Sequence, residues 1–150
     1  MDFAKRSQQK PIVRLALLLI TLLNACSTIS VYDQFAYANA TSLKVDTLNL
    51  ISAATESYDS HAKEVADLTV RLEKAYEYDR GRALNEKSVH LWEILLVTKP
   101  DDPNSGVLPR FIAQWKTEGR LSATTVALKK STVSRDFDKI IELESGKTKS

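Results

Sequence analysis

Apolar residues recur along this chain in several rhythms, and each predicts a different element. The first is an uncharged, largely apolar run, Leu15 to Leu23, led in by Lys5, Arg6, Lys10 and Arg14 and closed by Asn24-Ala25-Cys26. The second is a seam with steps of three and four: Ile51, Ala54, Tyr58, His61, Val65, Leu68, Leu72 and Ala75. Such spacing keeps one face of a helix toward a partner. Leu48, Thr55, Ala62, Thr69 and Tyr76 widen that stripe to the breadth expected in a bundle. No glycine or proline falls between Asp33 and Asp79, so the pattern predicts one long helix over about 33–79. Its amino-terminal part follows a shifted phase through Phe35, Ala38, Ser42, Val45 and Leu48, and the accumulated steps of three before Ala54 predict a local change of winding.

Three shorter helices follow. Gly81 ends the long segment, and a second helix over about 83–98 carries Leu84, Val89, Leu91, Trp92, Ile94 and Leu95. Pro100, Pro103 and Gly106 make a loop, because two prolines and a glycine cannot extend a helix. Pro109 suits the first turn of a third helix, with Phe111, Ile112 and Trp115 facing inward and Gly119 as its stop. The last helix spans about 122–144 on the stripe Val126, Val133, Phe137, Ile140 and Ile141; Gly146 ends it, and residues 147–150 are expected to fray. The expected fold class is all-α, a small helical bundle with one long N-terminal helix and three shorter ones, and with Trp92 and Trp115 as core anchors.

The first rhythm has a different meaning. Nine residues, eight of them apolar and one Thr21, are too few to cross ~30 Å of hydrocarbon, which takes about 20. With a basic lead-in and a small residue at its end, the run has the layout of a secretory signal. Leu23-Asn24-Ala25-Cys26 resembles the lipobox of bacterial lipoproteins: Leu23, Ala25 and Cys26 fit, and Asn24 stands where alanine, serine or threonine is more usual. The resemblance covers residues 1 to about 27. It implies cleavage before Cys26, a diacylglyceryl thioether on the Cys26 sulfur, and usually a further acyl chain such as palmitate on the new amino terminus. It further implies a signal peptide over 1–25, a lipid-anchored tether over 26–32 and a single helical domain over 33–150. Ser27, in place of the aspartate that marks inner-membrane retention in enteric-type lipoproteins, implies the outer membrane, facing the periplasm.

Removing residues 1–25 takes away four of the 21 basic residues and one of the 19 acids, so the mature chain has a net charge of about −1. The basic character of the precursor belongs to its targeting segment, and the electrostatic footprint of a nucleic-acid binder is missing from the rest. Cys26 is the only cysteine, which excludes a disulfide, a redox pair and a thiolate metal site once it is lipidated.

Candidate chemistry is sparse. His61 and Glu64, like His90 and Glu93, lie three apart on one helix face, but the order is the reverse of the Glu-x-x-His used in helical di-iron sites. His61 falls on the apolar seam, so no metal site or cofactor is expected. Asp102-Pro103-Asn104-Ser105-Gly106 is similar to the opening of a calcium loop but lacks the closing glutamate, and reads as a turn. The Asn39-Ala40-Thr41 sequon carries no meaning in a bacterial chain, and no nucleophile elbow, P-loop or dinucleotide fingerprint occurs. No catalytic residue is expected. Tyr78, Arg80 and Arg82 alternate aromatic and basic character beside the first joint and form the candidate partner patch. These features together imply a lipid-anchored, non-catalytic binding or scaffolding module acting through an envelope protein. The alternatives are a spacer from membrane to cell wall, built on a helix reaching ~70 Å, and a periplasmic small-molecule or metal binder resting on the histidine pairs.

Overall fold

A computed structural model describes residues 29–101 and 106–149. The expected signal peptide, the tether up to Thr28 with Cys26, and the stretch 102–105 lie outside the described residues. The described chain is all-helical: α1 (Gln34–Ala53), α2 (Tyr58–Arg80), α3 (Glu86–Leu96), α4 (Val107–Glu118) and α5 (Ala123–Ser145). α1 lies between α2 and α5, and α3 lies between the same two on the other side, which closes a four-helix ring. α4 packs across α3, α2 and α5. Lys44 meets Asp138 and Ser52 meets Lys130, so α1 runs antiparallel to α5; Phe35 meets Tyr78 and Asp46 meets Arg71, so it runs antiparallel to α2 as well.

The expected long helix is therefore two. The segment 54–57 turns the chain back on itself, although it holds neither glycine nor proline. Its polar backbone groups are satisfied from a distance. The Ala54 carbonyl accepts from the Leu121 amide at 2.8 Å, the Tyr58 amide donates to the Gly119 carbonyl at 2.9 Å, and the Glu56 carbonyl accepts from Trp115 Nε1 at 3.0 Å. Gly119 supplies its carbonyl from φ 74°, a left-handed backbone that suits glycine. The ends of two helices, which would otherwise leave orphan groups, are thus capped by the α4–α5 connection. A single continuous helix would leave its stripe uncovered; folded as a hairpin, the two halves share one core.

Phase is the second correction. The buried face of α1 is Ala36, Ala40, Leu43, Thr47, Leu50 and Ile51, displaced by one or two residues from the expected stripe through Phe35, Ala38, Ser42 and Val45, so Phe35 and Val45 are each 57% exposed; Ile51 of the expected seam is buried. Small Ala36 and Ala40 face the interior where larger side chains would hold α2 and α5 apart. In α2 the expected Val65, Leu68, Leu72 and Ala75 are buried, and in α5 so are Val126, Val133, Phe137 and Ile140. Trp92 and Trp115 are core anchors, packed edge-on against Phe137 and Tyr58 respectively. α3 begins at Glu86, later than expected, because residues 81–85 belong to the polar joint described below.

The Thr47 hydroxyl is buried without a hydrogen-bond partner among the described residues. Replacing it with a methyl of similar shape removes the unpaired group, so Thr47→Val is expected to raise stability by about 1 kcal/mol. Urea unfolding with an unchanged m-value is the check.

Candidate functional site

Charged residues continue the apolar stripes at one end of the ring. In α2 the seam Leu72, Ala75 leads to Asp79, and in α5 Phe137, Ile140 leads to Glu144; both acids are buried. Arg82 follows Asp79 by three residues and Lys147 follows Glu144 by three, so each acid meets a base from its own chain segment. The two pairs then merge. Arg82 donates to Asp79 Oδ1 at 2.9 Å and to both Glu144 oxygens at 3.0 and 3.1 Å. The Lys147 ammonium, whose side chain is 0% exposed, donates to Glu144 Oε2 at 2.5 Å, Asn85 Oδ1 at 2.6 Å and Ser88 Oγ at 3.0 Å. All three of its protons are used. Trp92 Nε1 donates to Asp79 Oδ2 at 2.6 Å, and Asn85 Nδ2 caps α2 by donating to the Asp79 carbonyl at 2.8 Å. Two acids and two bases balance, which makes their burial tolerable.

The amino-terminal segment is threaded into this network. The Ser30 amide donates to the Leu84 carbonyl and its hydroxyl to Asn85 Oδ1. The Val31 carbonyl accepts from Arg82, the Tyr32 amide donates to the Thr148 carbonyl, and the Asp33 amide donates to Glu144 Oε1 at 2.7 Å. Asp33 also caps α1, accepting from the Ala36 amide, and takes the Tyr78 hydroxyl on its other oxygen. Residues 147 and 148, expected to fray, are held here instead, because Lys147 is a member of the buried cluster.

Electrostatics follow from these contacts. Burial pushes the Glu144 carboxyl up, but the hydrogen bonds from Arg82 and Lys147 outweigh it and hold the group below its ordinary value. Burial acts likewise on Asp33, whose bonds from Ala36 and Tyr78 bring it down, while the same bond to Asp33 raises the Tyr78 hydroxyl. Arg82 is held charged well above its ordinary value: burial opposes this and is overcome by Glu144 and Asp79.

The candidate patch therefore divides. Arg82 points inward, whereas Tyr78 is exposed at its rim and packs edge-on against Phe35 at 4.9 Å. Arg80 is exposed, pairs with Glu77 and lies over the Tyr76 ring. Next to it Leu84 takes φ 57° with its side chain 48% exposed. A left-handed backbone costs leucine about 1 kcal/mol that glycine or asparagine would avoid. A shallow cleft of about 340 Å³ lined by Arg80, Arg82, Glu86, His90 and Glu93 opens on this side.

At the opposite end His61 bridges two acids, with Nδ1 3.1 Å from Glu64 and Nε2 3.1 Å from Glu56. The carboxylates sit on different ring nitrogens, so they brace the ring against Trp115 rather than converge on a common point. Among the described residues no group of His, Cys, Asp or Glu is arranged to hold a metal ion. A second groove, of about 500 Å³, runs between α3, α4 and α5 and is lined by Arg110, Lys129, Arg135 and Lys139 around exposed Leu128. Asp136 is the one acid among the described residues lining it, and it pairs with Lys139.

Sequence reasoning misses the buried quartet and the basic groove. The quartet leaves a signal: acids at the next seam positions after Ala75 and Ile140. The groove leaves a partial one: Leu128, Thr132, Arg135 and Lys139 recur at helical spacing on α5 beside Lys129, whereas Ile94, Val107 and Arg110 join them from helices earlier in the chain. Comparison with protein-family models, curated proteins and solved structures gives no match.

Removing one member of the quartet strands the others. Glu144→Ala is expected to cost about 3–5 kcal/mol and to release residues 30–33, read as faster amide exchange there than in the α2 core. Glu144 and Asp33 both have lowered folded values, so the stability they add is present above the ordinary carboxylate range and is lost as pH falls through their folded values. Glu144→Gln should flatten that acid limb in urea midpoints measured against pH. His61 has the opposite sign. Hydrogen bonds to Glu64 and Glu56 raise it, so its contribution is full at acid pH and disappears as pH rises through its folded value. Proton NMR titration should find its midpoint above that of His61 in the urea-unfolded chain.

Proposed function

We propose that the chain is a lipid-anchored, non-catalytic helical module of the bacterial envelope, fixed by a diacylglyceryl thioether on Cys26 and engaging a protein partner. The observation that carries this reading is the clamp on residues 30–33. A tether need only connect, yet here the backbone that follows the lipobox by four Cα steps, ~14 Å at most when extended, is bonded into the most buried polar cluster of the domain. Load on Cys26 would pass directly to α2, α3 and α5. The outer membrane, with the domain in the periplasm, follows from Ser27 by the lipoprotein resemblance.

The basic groove between α3, α4 and α5 is the surface offered to the partner. Its cations contrast with a mature chain of net charge about −1, and with Leu128 at its edge it complements an acidic protein segment bearing an apolar side chain. The spacer reading loses its support, because helices of 20 and 23 residues reach only ~30–35 Å.

Intact-mass analysis of protein from bacterial membranes should find the chain starting at Cys26 with glycerolipid on its sulfur, and Cys26→Ser should abolish both. An intact Met1 with an unmodified thiol would refute the anchor. A photo-crosslinker at Leu128 should capture an envelope protein in cells, with the yield reduced by Lys129→Glu and Arg135→Glu; capture equal to that at Val45 would refute the groove.

A further inference from the structure

The geometry points to a second membrane contact: the end of the bundle beside the tether lies against the lipid surface through Val31, Phe35, Tyr78 and Leu84. The inference rests on the proposed anchor at Cys26, which fixes this end within one short segment of the bilayer. Among the described residues, four of the seven large apolar side chains that are exposed gather at this end, with Val45 and Val70 at mid-height and Leu128 near the far end. Phe35 and Tyr78 come together because α1 and α2 run antiparallel, and Leu84 is brought beside Val31 by the Ser30–Leu84 backbone bond.

Aromatic residues are distributed the same way. Tyr32, Tyr37, Tyr76 and Tyr78, four of the five tyrosines, lie within about two turns of the tether, while both tryptophans are in the core. Amphipathic rings of this kind favour the depth of lipid headgroups. Arg80 over Tyr76 and Lys149 over Tyr32 place cations at the rim, where phosphate would meet them. Glu77 and Glu86 nearly offset those charges, so the contact is chiefly apolar.

Leu84 is the decisive residue. Its backbone is left-handed and its side chain half in water, so neither local conformation nor packing accounts for a leucine there. Burial in lipid does. A free-standing domain would be at least as stable with asparagine at this position.

The test uses the purified lipoprotein in vesicles of phosphatidylethanolamine and phosphatidylglycerol containing a nitroxide-labelled acyl chain. Lipidated Cys26 offers no competing thiol, so Leu84→Cys, Phe35→Cys, Val45→Cys and Leu128→Cys each carry one fluorophore. Quenching at 84 and 35 several-fold above that at 45 and 128 is expected. Adding Leu84→Asn, which the backbone accommodates, should lower quenching at 35 without lowering the urea midpoint. Equal quenching at all four positions with Cys26 acylated overturns the inference and leaves the anchor intact. Where mass analysis finds Cys26 unacylated, which by itself refutes the anchor, the labels are placed in a Cys26→Ser background to remove the free thiol; selective quenching there upholds the contact, and equal quenching there leaves neither contact nor anchor. Disulfide cross-linking of unlabelled Leu84→Cys into a dimer would assign the face to a second copy and overturn the inference.

Discussion

Everything at one end of this molecule depends on the neutral quartet Asp79, Arg82, Glu144 and Lys147. Taking a charge out of water costs several kcal/mol, recovered only where opposite charges and hydrogen-bond partners are all in place. Here they come from α2, α5, the α2–α3 joint and the α3 amino terminus, so those elements can close in only one register. An apolar end would tolerate a slide of one helix past another. This one does not, since a shift of a single turn would leave Lys147 or Asp79 buried and alone.

The other end is organised by a different device. Trp115 plugs the ring against Tyr58, His61 and Phe111 while its indole nitrogen caps the α1–α2 turn. Aromatic packing and backbone satisfaction are thus combined in one side chain. The middle of the bundle is ordinary by comparison, with small and branched residues in the stripes and surface ion pairs such as Arg71–Asp46 that contribute little to stability.

How far the sequence exposes this design can be followed residue by residue. Periodicity locates α5, the stripe of α2, the joint at Gly81 and both tryptophans, because each depends on local spacing. It runs α1 into α2, because the stop at Ala53 comes from Gly119, Leu121 and Trp115, which lie far along the chain. The change of winding expected before Ala54 does not occur: Gln34–Ala53 is one α-helix with a regularly spaced buried face, and the chain turns only at 54–57. Periodicity also assigns the α1 face to Phe35 and Val45, because it weights bulk above fit; Ala36 and Ala40 are inside since close approach of two neighbours requires it. Arg82 in the candidate patch reads as a surface cation; it turns inward to two buried acids, Asp79 three residues before it and Glu144 on α5, 62 residues later.

The bond from the Tyr32 amide to the Thr148 carbonyl has a topological consequence. It brings the two ends of the folded chain side by side, so the polypeptide is nearly a closed circuit. The order of helices could be rotated by joining those ends with a short linker and opening the bend at 54–57, giving a permuted chain with the same neighbours. Conversely, trimming a few residues from the carboxyl end would act on the amino end as well, because the two are a single structural unit.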